Sequence, residues 1–475
     1  METLWNKDVG MPPEVTRFTV GSDPLWDLRL APYDIKGSMA HVSMLGKIGI
    51  LTPQEKEKLL EGLDVILEKV RQGGLVIGQG AEDIHSLIEL ELSRELGDLG
   101  KKIHAGRSRN DQVLTDIHLY LKDVCKEIAR QTGNLFRCLQ EKSELYKDIL
   151  MPGYTHERPA MPSSFGLWFG AYAETLVDDI YQLTAAWQQC DQNPLGSAAG
   201  YGNSFPLDRE ETTRLLGFGT LKFNSIAAQM SRGRTERSLS FAMASLAGTL
   251  NKLAADCCLF SGPDYGFMDF PESLTTGSSI MPHKKNPDVW ELIRARCNSI
   301  QGLPNQIALV CTNLTHGYHR DYQLLKDLLF PAIDSLFDCI NMSVLMVDNM
   351  KVKNKILENT RYDQLFSVET ANRLVLNAYL SGMLTGRWPC HSRTVPIRQK
   401  KTSAIYIQAV SVTRPTKKSG RKWNRPSPGY SLKTDHISGS AVQGPQDLVN
   451  FFHFSGYVNF LWTMLFTHPA CSTML

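Results

Sequence analysis

The chain lacks the loops that mark nucleotide chemistry. Neither G-x-G-x-x-G nor G-x-x-x-x-G-K-[ST] occurs in its 475 residues, so no nucleotide cofactor is implied. None of its ten cysteines belongs to a C-x-x-C pair, which leaves no sign of a zinc site or disulfide framework and fits a reducing, cytoplasmic setting. Residues 1 to 8 carry acids and no apolar run, so no secretory leader is expected. Internal repeats are missing too, which argues against a solenoid.

An excess of one charge is also absent. With 51 Lys+Arg against 49 Asp+Glu the net charge is +2, no basis for a nucleic-acid partner. The balance conceals a division: residues 1–370 hold 38 basic and 47 acidic side chains, net −9, whereas 371–475 hold 13 and 2, net +11. Within that tail, 387–433 is basic, rich in Pro, Ser and Thr, and free of acids, a composition expected to stay disordered. Stretch 448–467 has no Lys, Arg, Asp or Glu and is long enough to span a bilayer, but Asn450, His453, Ser455 and Asn459 argue against a membrane role.

What the chain does have is helical periodicity. Thr52-Pro53-Gln54-Glu55 supplies an N-cap, a proline at the first helical position and a glutamate at the third, and Leu59, Leu63, Ile66 and Val70 follow at helical spacing until Gly73. A second helix opens at 82–85 and runs to Gly97, and His85 beside two acids is read as part of its cap, in preference to a functional contact. Apolar-periodic segments from Val113 to about Asp148, over 163–190 and over 227–259 predict an all-α protein built on very long helices. The expected division is an N-terminal helical domain over 1–105, a central bundle over 106–365 and an atypical C-terminal region over 366–475.

Polar strings punctuate this pattern. Arg107, Ser108, Arg109 and Asn110 stand just before the first long helix, where two guanidinium groups and free backbone N–H groups can grip a carboxylate, although a surface ion-pair cluster has the same composition. After that helix comes Met151-Pro-Gly-Tyr-Thr155-His156. Residues 277–287, Gly-Ser-Ser-Ile-Met-Pro-His-Lys-Lys-Asn-Pro, put two lysines near two hydroxyls, which suits a carboxylate-bearing ligand. Asn286 and Pro287 read as N-cap and first residue of the next helix. On a helix, positions 319, 323 and 326 would share a face, so Gln323 and Lys326 could reach one ligand.

These strings, in this order, resemble those of the fumarase/aspartase superfamily, and Gly106-Arg-Ser-Arg-Asn-Asp-Gln112 with Tyr318, Gln323 and Lys326 resembles the argininosuccinate lyase family in particular. The likeness runs from about residue 15 to about 376. It implies a fumarase/aspartase-like all-α bundle, a homotetramer with shared active sites, and elimination of fumarate from argininosuccinate without a metal or organic cofactor. By the same resemblance Ser278 is the base, Lys284 stabilises the carbanion, His156 donates a proton to the leaving group and Glu291 orients His156. Arg107, Ser108, Arg109, Asn110, Thr155, Asn286, Tyr318, Gln323 and Lys326 would hold the substrate. Two departures stand out: Glu157-Arg158 replaces the family's Leu-Gln, and the family's substrate-binding serine has no clear counterpart near Ser22 and Asp23. Glu157-Arg158 and the atypical tail keep open a second reading, a catalytically impaired structural or binding member of the superfamily.

Overall fold

Of the N-terminal helices, the third and fourth open on side-chain caps that precede an apolar stripe. In a computed structural model, which describes residues 12–77 and 83–385 with side chains through 377, the N-terminal helices are α1 (Pro13–Val20), α2 (Asp23–Lys47), α3 (Pro53–Arg71), α4 (Ile84–Leu96) and the short α5 (Asp98–Lys101). The predicted capping box of α3 is present: Glu55 N–H donates to Thr52 Oγ1 at 3.3 Å and Thr52 N–H donates to Glu55 Oε2 at 2.9 Å. Behind the cap, Leu59, Leu63 and Ile66 pack with Ile35 and Val42 of α2 and Leu92 of α4 in one apolar core.

A second core belongs to the long helices. These are α6 (Arg109–Leu145), α7 (Phe165–Cys190) and α10 (Arg234–Ser261), with the short α8 (Arg209–Leu216) and α9 (Ser225–Gln229) between them. Then follow α11 (Asp288–Gln301), α12 (Leu303–Val310), α13 (Leu324–Asp348) and α14 (Ser367–Thr385). The 37 residues of α6 span roughly 55 Å at the usual helical rise. It packs on α7 and α13, α7 packs on α10, and α10 packs on α11. Leu121 and Ile128 of α6, Phe169 of α7, Leu246 and Leu250 of α10, Trp290 of α11 and Phe330 of α13 are all buried there.

Short strands break the helical pattern at two places that the sequence marked as polar. Strands β1 (Leu150–Thr155) and β2 (Arg158–Ser164) pair antiparallel, and Thr155 opposite Arg158 leaves His156 and Glu157 as a two-residue loop. Both loop residues have positive φ, 53° and 57°, as tight hairpin turns of the primed types demand. The second pairing sets Thr276 opposite Asn286 and Gly277 opposite Lys285. Because Asn286 belongs to this ladder, it does not cap α11. The cap position falls on Pro287 and the helix begins at Asp288, one residue later than the sequence suggested.

The turn before α13 also differs from expectation. Arg320–Gln323 forms a single 3₁₀ turn that runs into α13, and Tyr318 and His319 precede it in a loop. The basic stretch 387–433 and the apolar stretch 448–467 lie outside the described residues.

Candidate active site

A cavity of about 180 Å³ opens where the α1–α2 corner, the first turns of α4 and α6, and the entry to α13 meet. Its wall carries charges of both signs. Lys326, only 4% exposed, reaches Asp23 at 2.7 Å and Asp27 at 2.6 Å. Burial alone would drive the lysine towards its neutral form, yet the two aspartates raise its pKa above the ordinary value. Asp23 responds the other way: burial, only partly offset by Lys326, pushes its carboxyl up to about 6.

Asp83 anchors the opposite wall. Its carboxylate caps α4 by accepting from Ser86 N–H at 2.8 Å, and it also accepts from Arg109 Nη1 at 3.0 Å. Arg109 reaches Ser86 Oγ at 2.7 Å with its other nitrogen, so the guanidinium is fixed in a plane at the cavity edge. Burial opposes ionisation of Asp83, but His85 and Arg109 hold its pKa below the usual value. Gln323 and Arg320 close the cavity from the α13 side: Gln323 Nε2 donates to the carbonyls of Thr19 at 2.9 Å and Val20 at 3.0 Å, and Arg320 Nη2 donates to Thr19 at 2.9 Å. These bonds fasten the α1–α2 corner over the site. Tyr318, 40% exposed, and Asn110 complete the mouth.

Five of the residues singled out from sequence therefore meet in one cavity: Arg109, Asn110, Tyr318, Gln323 and Lys326. The others do not line it. Arg107 is buried behind the wall, where it donates to Ser38 Oγ at 2.9 Å, and Ser108 caps α6 by accepting from Asn110 N–H at 3.3 Å. Thr155 and His156 are exposed at the β1–β2 hairpin. Ser278 lies in the loop of the second hairpin, its hydroxyl accepting from Met281 N–H at 3.2 Å, with the side chains of Lys284 and Glu291 exposed nearby in sequence. Asn286 donates from Nδ2 to Thr276 Oγ1 at 3.5 Å. The groups suited to proton transfer thus stand on two exposed hairpins, outside the cavity that gathers the ligand-gripping groups.

Sequence reasoning missed several wall residues. Asp23 and Asp27 are four apart on α2 and so share a face, a signal that was available. Arg232 is another missed wall residue. Gly233, at φ 76°, turns the backbone so that Arg232 points inward while Arg234 stays exposed. Arg232 pairs with Glu236 and donates to the carbonyl of Tyr322 at 3.0 Å. His85 needs a correction. It is not a cap, because Asp83 performs that role; its imidazole is buried and bound to Asp34 of α2.

Asp34, His85 and Asp116 bring three potential metal-ligand atoms within 4.8 Å of one another. The surroundings favour a hydrogen-bonded network instead. Asp34 already accepts from Ser38 Oγ at 3.1 Å and from Gln112 Nε2 at 3.0 and 3.1 Å, and the buried Arg107 guanidinium supplies positive charge beside it.

Comparison with known proteins places this geometry. A sequence profile of the Lyase family matches residues 19–302, and the fold is that of the class II fumarase of Schistosoma mansoni (TM-score 0.65, 19% identity, 80% of this chain and 90% of that one). An EDDS lyase in complex with formate shares it equally, with TM-score 0.65 at 24% identity over 80% of this chain and 78% of the other. The chain belongs to this lyase family. Within the family its kin are the argininosuccinate lyases: that of Phocaeicola vulgatus is 55% identical over 78% of this chain and 84% of its own length. That of Thermotoga neapolitana is 39% identical over 79% and 94%. The C-terminal region of the chain is unmatched.

Proposed function

We propose that the chain cleaves argininosuccinate to fumarate and arginine by general acid/base β-elimination. The observation that carries this reading is the mixed-charge cavity. Carboxylates of Asp23 and Asp27 suit an ammonium or guanidinium, and Arg109, Arg320 and Lys326 suit a carboxylate, which together describe a zwitterionic amino-acid end rather than a simple dicarboxylate. The relatives add the reaction class.

The reaction removes a weakly acidic Cβ proton, places the developing charge on a carboxylate, and protonates the departing guanidinium nitrogen. Ser278 is the base in this reading. A serine hydroxyl is a poor base at its free pKa, so it needs a cationic neighbour and exclusion of water, and Lys284 provides the first while stabilising the carbanion. His156, oriented by Glu291, delivers the proton to the leaving group. Thr155 and Asn286 hold the succinyl carboxylates, and the cavity holds the arginine end.

A complete site then needs more than one subunit. The hairpins bearing His156 and Ser278 are exposed, and the long helices carry exposed Phe241, Leu292, Leu309, Met342 and Leu345, apolar surface that assembly would bury. We infer a cytoplasmic homotetramer acting in arginine biosynthesis. Mixing two inactive preparations tests the shared site. Ser278→Ala and Lys326→Met, unfolded and refolded together, are expected to regain roughly a quarter or less of wild-type activity because some sites draw both intact groups. No recovery from correctly sized mixed oligomers would place both groups in one subunit.

A further inference from the structure

We propose that His85 is a ligand-binding residue, donating from Nε2 to the amino-acid carboxylate held in the cavity, and that Asp34 is the positioning residue that orients the ring. The proposal rests on the arginine-end reading of the cavity.

His85 is the second residue of α4 and is 7% exposed. Its Nδ1 is bound to Asp34, and among the described residues Nε2 has no hydrogen-bond partner while the ring walls the cavity. A histidine that served only to tie α2 to α4 would need no place on the wall of a charged cavity, yet the ring lines it with Nε2 uncommitted. Asp34 cannot swing away. It is 1% exposed, and Ser38 and Gln112 occupy its remaining acceptor positions. A ring fixed on one nitrogen by a buried carboxylate presents the other in a set direction, the same logic by which outer groups orient histidines at reaction centres.

The charges around the ring come from every packed element. From α2 it faces Asp34 and Asp27, from the cap of α4 Asp83, and from α6 Asp116, whose Oδ2 lies 3.7 Å from Nδ1. On the other side stand Arg107, Arg109 and His104. Burial would discharge the imidazole, but Asp34, Asp83 and Asp27 raise its pKa above the ordinary value. Asp116 is the weaker counter-ion of the two: burial and the neighbouring Asp34 push its own pKa well up, and its Oδ2 has no hydrogen-bond partner among the described residues. His104 goes the opposite way, down to about 4 through burial and the adjacent arginines, which leaves His85 as the charged ring of the pair.

A ring N–H without a protein partner among the described residues, on the same wall as the Arg109 guanidinium, suits an anion, while Asp23 and Asp27 across the cavity suit the cationic group of the same ligand. The α-carboxylate of the arginine end is the one that the substrate offers here.

Steady-state kinetics on argininosuccinate with the full chain tests this. His85→Gln is expected to raise KM at least about tenfold with kcat within about threefold, the signature of lost binding common to ground and transition states. Asp34→Asn is expected to raise KM about tenfold by pH 8.5 and by less at lower pH, because burial then favours the neutral ring. KM within about twofold of wild type for His85→Gln, or a fall in kcat alone, would overturn the proposal. Should either variant fail to fold, ¹⁵N-histidine spectra of the wild type decide. One imidazole should titrate above the ordinary histidine range and shift on addition of L-arginine, and spectra without any ring that responds to arginine would likewise overturn it. Wild-type protein without turnover would instead remove the reading on which the proposal rests.

Discussion

Ser278→Ala is expected to lower kcat for fumarate release by about a thousandfold or more while leaving KM within a few-fold of wild type. The magnitude follows from the role: positioned acid/base groups contribute roughly 10²–10⁴ in rate. The fold should not notice. Ser278 is part-exposed and its hydroxyl accepts only from the backbone N–H groups of Ile280 at 3.4 Å and Met281 at 3.2 Å, so its loss strands no buried group. Rapid-mixing kinetics with the variant, alongside its thermal unfolding, checks both halves. An unchanged kcat would move the base elsewhere.

Lys326→Met is expected to damage both binding and stability, and its stability effect should depend on pH. Removing the cation leaves Asp23 and Asp27 facing each other in a buried site, and breaking a buried ion pair from one side typically costs about 3–5 kcal/mol. The sign of the pH dependence follows from Asp23. Its folded pKa, about 6, stands above its ordinary 3.8, so the folded protein binds a proton more readily than the unfolded chain. The stability contributed by Asp23 is therefore fully present below 3.8 and is lost as pH rises through about 6. Without Lys326 the Asp23 carboxyl favours its neutral form still more, and the deficit of the variant should be largest at about pH 8 and shrink towards pH 5. Urea unfolding at the two pH values measures this. A deficit independent of pH would mean that the lysine acts through packing alone.

The helices were legible because their signals are local. Thr52 and Glu55 sit three residues apart and announce their capping box without help from the rest of the chain. The cavity residues Arg109, Asn110, Tyr318, Gln323 and Lys326 were legible as motifs, although only the fold brings the first pair beside the last three. What the sequence concealed depends on partners far along the chain. His85 beside Asp83 reads as a cap, whereas its hydrogen-bond partner Asp34 is 51 residues earlier.

The hairpins were hidden for a different reason. The β1–β2 loop uses His156 and Glu157 where Asn-Gly would signal a tight turn, so both residues adopt a backbone conformation that neither residue type advertises. This loop also contains one half of the departure from the family pattern, since Glu157 is its second residue. Its side chain is exposed at the turn, away from the cavity wall, so the structure gives no steric reason for it to obstruct ligand binding there.

Fumarate release, followed by its ultraviolet absorbance after purified full-length protein is mixed with argininosuccinate, tests the central claim most directly. The account predicts steady formation of fumarate with an equal amount of arginine, abolished by Ser278→Ala. A folded oligomer that binds arginine but forms no fumarate would contradict it and leave the chain as a binding member of the lyase family.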